Sequence, residues 1–122
     1  MPHRSDPPPV APTVRSLDGT LSVDDAIAAV GAAARDAEDR AAPLLIDMRR
    51  ATIPGFSYRD AHTISEALLA QGIVFSRRVA LLDLYDEAFL VTQFFEASAA
   101  ARGFPLKAFV DEAAARAWLA HE

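Results

Sequence analysis

Ser57, Asp60 and His62 are the residue types from which hydrolases build nucleophilic sites, and they fall in one short stretch. Such a site needs the serine hydroxyl within reach of the imidazole, and the imidazole held in turn by the carboxylate. The spacing does not supply this. Asp60 and His62 are two apart and face different ways on a helix, and a serine at a helix start spends its oxygen on backbone N–H groups. His3 and His121 lie near the termini, far in sequence from His62, so no histidine metal site is expected. The chain holds no cysteine, which removes thiolate nucleophiles, thiolate metal sites and disulfides. The residue types therefore point away from an enzyme, and no catalytic residue, metal or cofactor is expected.

Two further groups carry charge in patterns that could meet a ligand. Asp47 is followed by Arg49 and Arg50. A helix beginning at Ser57 would turn its free N–H groups toward the same region, so an anion would sit between that helix and the two guanidiniums. The plainer arrangement has Ser57 as a cap and the arginines solvated or paired with Asp47 and Asp60. Asp83, Asp86, Glu87 and Asp111 could gather oxygens around a hard cation, although Asp86 and Asp111 already have a use as helix caps. In an open parallel sheet, ligands sit beyond the carboxyl ends of the strands, where the strand order reverses. Here those ends carry Asp47, Arg49 and Arg50, then Tyr85 and Asp86, then Asp111. Arg49, Arg50, Ser57 and Tyr85 are the candidate ligand- or anion-binding residues.

A third group is apolar. Phe89, Leu90, Val91, Phe94 and Phe95 cover more of one helix than the roughly 100° stripe that a one-sided helix needs. Part of that surface must meet something besides the sheet. Core packing is the commoner use of aromatic residues at helical spacing; the surplus at Phe89, Leu90 and Phe94 fits a homodimer interface or one wall of an apolar pocket.

Caps and periodicity show which elements position these residues. Prolines at 2, 7, 8, 9 and 12 keep residues 1–12 out of any helix and suit a disordered, Pro-rich tail, so one folded domain spans residues 13–122. Val14 and Leu17 lie in a short strand ended by the turn pair Asp18-Gly19. Ser22 and Asp25 have capping-box spacing and open a helix in which Ile27, Val30, Ala33, Ala34 and Ala37 recur at helical spacing. Leu44-Leu45-Ile46 is the continuous apolar run of a strand buried on both faces, ending at Asp47; Met48 to Phe56 contains Pro54-Gly55 and reads as a loop. Ser57 and Asp60 repeat the capping box before a second helix with Ala61, Ile64, Leu68 and Leu69 on its core face, capped at Gly72.

Val79 to Leu84 is the next strand, Asp86-Glu87 complement the dipole of a third helix, and Arg102-Gly103-Phe104-Pro105 stops it. Lys107 to Val110 is the last strand, and Asp111 caps a short helix that Trp118 packs onto the sheet. Strands and helices alternate throughout. The expected class is α/β: a mainly parallel sheet of about four or five strands with helices packed on it, because parallel strands need crossover connections.

A chain of 122 residues, 52% hydrophobic, can bury one core. Its net charge is −5 and Lys107 is the sole lysine, so no broad basic face is available and nucleic acid is not an expected partner. The opening residues lack the apolar core of a signal peptide, and no run approaches the roughly 18 apolar residues needed to cross a bilayer. A cytoplasmic protein with no transmembrane segment is expected.

Three segments resemble the SpoIIAA-like branch of the STAS superfamily, small domains related to bacterial anti-sigma-factor antagonists. Gly19-Thr20-Leu21-Ser22 leading into Asp24-Asp25 is similar to that family's approach to its first helix, and Leu44-Leu45-Ile46-Asp47-Met48-Arg49 to one of its strand ends. Arg78-Val79-Ala80 is similar to another of its strands, and the later Phe109-Val110-Asp111, Ala115 and Trp118-Leu119 to its ending. The resemblance covers about residues 17 to 119. It implies a bacterial binding module, non-enzymatic, whose partner is another protein or a small ligand, including lipid-like ones. It also implies an alternative, a regulator switched by phosphorylation with Ser57 as acceptor. This chain departs from the family's switch motif there, reading Gly55-Phe56-Ser57-Tyr58, and its N-terminal segment leaves little room for the paired strands that open many relatives.

Overall fold

The computed structural model describes residues 10–84 and 87–121, with the backbone alone described at 87–91. The elements run β1 (Thr13–Thr20), α1 (Val23–Asp39), β2 (Leu44–Thr52), α2 (Tyr58–Ala70), β3 (Val79–Leu82), α3 (Glu87–Ala101), β4 (Leu106–Phe109) and α4 (Glu112–Ala120). The protein is thus α/β, with a four-stranded, all-parallel sheet in the order β1-β2-β3-β4. None of the helices among the described residues is long and apolar enough to cross a membrane.

Each strand lies beside its predecessor in the chain, so the strand order never reverses. The expected ligand position at a reversal point accordingly has no counterpart here. A sheet wound in one direction also sends its crossover helices to one face. Strand alternation then sorts the side chains. Leu44, Ile46, Val79, Leu81 and Leu106 join a cluster with Ala26, Val30, Ala33, Ala34 and Ala37 of α1, Ala61, Ile64 and Leu68 of α2, and Phe95 and Ala99 of α3. Their neighbours Leu45, Ala80 and Leu82 point the other way and meet only α4, through Ala115 and Leu119, with Phe109 and Trp118 at the side. A buried leucine or isoleucine is worth about 1.5–3 kcal/mol, so these two apolar layers dominate the stabilisation of the fold.

The helix starts follow the sequence closely. At both Ser22 and Ser57 the hydroxyl accepts from the backbone N–H three residues on, and the carboxylate there accepts in return from the serine amide. Asp111 accepts from the Ala114 amide. Gly103 ends α3 in the left-handed conformation, φ +79°, and the Phe104 amide donates back to the Ala99 carbonyl.

The strand bounds differ from the sequence reading: β3 stops at Leu82 rather than Leu84, β4 runs Leu106–Phe109 rather than Lys107–Val110, and two larger differences lie in β1 and β2. Asp18-Gly19 is no turn: both residues lie within β1, paired with Arg50 and Ala51. Nor does β2 stop at Asp47, for it continues to Thr52 through the segment read as a loop. The cause is one-sided burial. β3 pairs with β2 only as far as Asp47↔Leu82, so beyond that point β1 and β2 form a two-stranded extension. A strand covered on one face lacks the continuous apolar run that marked Leu44–Ile46. A bulge complicates the pattern further, because between Ser16↔Asp47 and Asp18↔Arg50 one residue of β1 faces two of β2. Met48, Ala51 and Ile53 consequently pack against the core cluster, while Arg49 and Arg50 stay exposed.

Candidate functional site

The two-stranded extension, the beginnings of α1 and α2, and the middle of α3 leave a hollow between them at the carboxyl ends of β1–β3. It is a cavity of about 280 Å³. Leu17 of β1 with Met48 and Ala51 of β2 form its sheet side; Val30 and Phe95 reach it from α1 and α3, and Phe56 from the β2–α2 connection. The bulge in β2 matters here, because without the extra residue Arg50 rather than Ala51 would follow Met48 on this face.

Polar residues border this apolar space at Asp83, Thr92 and Thr52, and the first two meet. β3 alternates Val79 in, Ala80 out, Leu81 in, Leu82 out, and the same period turns Asp83, the residue just past the strand, toward α3. Thr92 stands three residues before Phe95, one helical turn away on the same face. The Thr92 hydroxyl donates to Asp83 Oδ2, and Asp83 Oδ1 accepts from the Leu84 amide at 2.8 Å. Asp83 is 6% exposed and Thr92 5%. Among the described residues no basic side chain reaches the Asp83 carboxyl.

The charged candidates lie elsewhere. Arg49 binds Asp47 through Nε at 3.0 Å and Nη2 at 2.8 Å, and its Nη2 also reaches Glu112 of α4 at 3.1 Å. This places Arg49 on the α4 face of the sheet, opposite the cavity. The hydrogen bonds from Arg49 hold the Asp47 carboxyl below its usual range, and Asp47 in turn raises Arg49. Glu112 is lowered chiefly by its hydrogen bond from Arg116, then by Arg49. Arg50 is exposed, and among the described residues no hydrogen bond or ion pair holds it. Ser57 is engaged with Asp60, both as acceptor from its amide and as donor to its carboxylate. The structure does not gather Arg49, Arg50 and Ser57 around one point. Tyr85 lies outside the described residues.

His62 does not meet Ser57 or Asp60. Its ring nitrogens lie 2.7 and 3.1 Å from Arg102 Nη2, and Arg102 also binds Glu66 and the Ser98 carbonyl, tying α2 to the end of α3. Of the four acids considered for a cation, Asp83 turns to Thr92 and Asp111 caps α4; Asp86 and the Glu87 side chain fall outside the described residues. Among the described residues there is no group of three or more His, Asp or Glu that could hold a metal ion.

The aromatic helix divides. Phe95 is buried at the cavity, whereas Phe94 is 43% exposed and stacks edge-on against Tyr58, which is 55% exposed, ring centres 5.7 Å apart. The side chains of Phe89 and Leu90 lie outside the described residues.

Sequence reasoning weighed Asp83 only as a cation ligand and missed Thr92, Met48 and Ala51 altogether. A signal existed for the first pair: an aspartate directly after four apolar strand residues, and a threonine in the middle of a helix whose neighbours are apolar. Nothing marked Ala51, because its inward direction depends on the bulge; Met48 continues the alternation of Leu44 and Ile46 but lies in the segment that reads as a loop.

Set against family models, curated protein sequences and solved structures, the chain gives no significant match to any of them.

Proposed function

We propose that this protein is a non-enzymatic, SpoIIAA-like (STAS-like) binding module whose cavity takes a small, largely apolar molecule. The observation that carries the reading is the 280 Å³ space at the carboxyl ends of the strands, apolar on most sides and bordered by the Asp83–Thr92 pair. Apolar walls with a few placed polar groups are the usual make-up of a small-molecule site. The side chains that could have done chemistry are engaged elsewhere: Ser57 with Asp60, His62 with Arg102, Asp47 with Arg49. The family likeness is supported by where its segments fall. Gly19–Ser22 joins β1 to the cap of α1, Leu44–Asp47 is the centre of β2, Arg78–Ala80 opens β3, and Trp118-Leu119 fastens α4.

Toluene, observed through backbone amide NMR shifts, tests the cavity. Shifts clustered on Ala26, Ala51, Phe56 and Thr92, and lost when Ala51→Phe fills the space, are the expected result. Shifts scattered over the surface, or none, would refute the assignment.

One observation favours a protein partner or a homodimer in addition, the exposed Tyr58–Phe94 pair between α2 and α3. The phosphorylation switch at Ser57 has a direct test in intact mass after incubation with a candidate kinase. The acceptor hydroxyl is the one that caps α2, so the reading predicts added phosphate at Ser57 together with fraying of the first turn of that helix.

A further inference from the structure

We infer that the cavity selects a small primary amine with an apolar body, and that Asp83 is the residue that selects it. This rests on the cavity being a ligand site and adds the chemistry of the head group.

The carboxyl group of Asp83 has about four acceptor positions, and among the described residues two of them are filled, from the Leu84 amide and the Thr92 hydroxyl. The others are left on a group that is 6% exposed and borders an apolar space. An acid held this deep without a cation is costly unless something donates to it, and among the described residues nothing basic does. A ligand ammonium would complete the set, through charge-assisted hydrogen bonds that are shorter and stronger than neutral ones. The Thr92 hydroxyl donates to Oδ2 and so fixes the plane of the carboxyl against α3.

Size sets the other half of the specificity. A dry apolar cavity of about 150 Å³ holds benzene, so 280 Å³ admits a ring with a short chain. Leu17, Met48, Val30 and Phe95 offer that body no hydrogen bond. A carboxylate head in the same pose would place like charge against Asp83.

The test uses the full chain and three matched probes: 3-phenylpropylamine, 3-phenylpropan-1-ol and 3-phenylpropionate, titrated by NMR or calorimetry. The amine should bind at least about tenfold more tightly than the alcohol, as one charge-assisted hydrogen bond implies, with the carboxylate weakest. In Asp83→Asn, which keeps the shape of the side chain, the amine should fall to the level of the alcohol while the alcohol changes by less than about threefold. Equal binding of amine and alcohol to the unaltered protein, or preference for the carboxylate, would overturn the role of Asp83 and leave the cavity standing. If none of the three binds, and toluene does not either, the cavity assignment fails with it. The comparison on the unaltered protein decides the question even if Asp83→Asn does not fold.

Discussion

The Arg78 guanidinium lies 4.8 Å from the centre of the Trp118 ring and donates to the Trp118 carbonyl at 2.8 Å. One side chain at the start of β3 thus holds α4 by ring face and backbone together, while Phe109 supports the ring from β4 at 5.6 Å. Arg78→Ala is expected to destabilise the fold by roughly 1–2 kcal/mol, combining a cation–π contact with a charged hydrogen bond. Trp118 is the sole tryptophan, so its fluorescence reports on α4 directly: the variant should show a red-shifted emission before heating begins. Arg78→Lys should recover only part of the loss, because an ammonium cannot lie flat on the ring.

Ser57→Ala should cost about 1 kcal/mol, the usual worth of an N-cap hydroxyl, measured by urea denaturation. The Asp60 carboxylate completes the box from the other side. Asp60→Ala should therefore add little on top of Ser57→Ala, since the two act as one unit.

Ala41 sits at φ +51° just after α1, in the position where helices commonly place glycine. An L side chain there costs roughly 1–2 kcal/mol, and glycine gives back part of that gain through the freedom of the unfolded chain. Ala41→Gly should raise stability by roughly 0.5–1 kcal/mol by the same denaturation measurement.

Asp47 gives a pH signature. Its folded-state carboxyl is held below the unfolded value by the hydrogen bonds from Arg49, so the unfolded chain binds the proton more readily. The stabilisation is present above the unfolded value, about 3.9, and is lost as pH falls through the lower folded one. Asp47→Asn should lie below the unaltered protein in stability at pH 7, and the two should converge as the pH is taken down toward 3. A gap that stayed constant across that window would exclude the ionic contribution.

Phe94→Gln should leave the chain folded at a cost of at most about 1 kcal/mol, because the ring is 43% exposed and its ring contact among the described residues is the edge-on one with Tyr58. Sedimentation of the two proteins then reads the surface: a dimer that becomes a monomer identifies the pair as an interface.

The helix starts were legible because a capping box is local: Ser22 with Asp25 and Ser57 with Asp60 declare themselves within four residues. The stop at Gly103 and Phe104 was legible for the same reason. The far end of β2 was not, since Arg49 to Thr52 are strand only because β1 runs beside them and the core covers one side. The cavity was less legible still. Its shape needs Asp83 and Thr92, nine residues apart in the chain, to meet, and needs a bulge that no periodicity announces. The apolar surplus on α3 divides between Phe95, buried at the cavity, and Phe94, exposed outside it.

The one-directional winding of the sheet has a consequence for how the molecule assembles. Every strand finds its partner after crossing a single helix, so each pairing closes a short loop at small entropic cost, and the β1-to-α3 part can build up in order, one unit on the last. α4 is the exception. Its seat spans Leu45, Ala80 and Leu82 on two strands and Phe109 on a third, and is complete only once those strands are paired. Until that helix docks, the sheet is covered on one side and bare on the other, a state in which nascent chains adhere to one another. The grip of Arg78 on Trp118 is therefore also a safeguard during synthesis: weakening it should lower soluble yield out of proportion to the equilibrium stability lost.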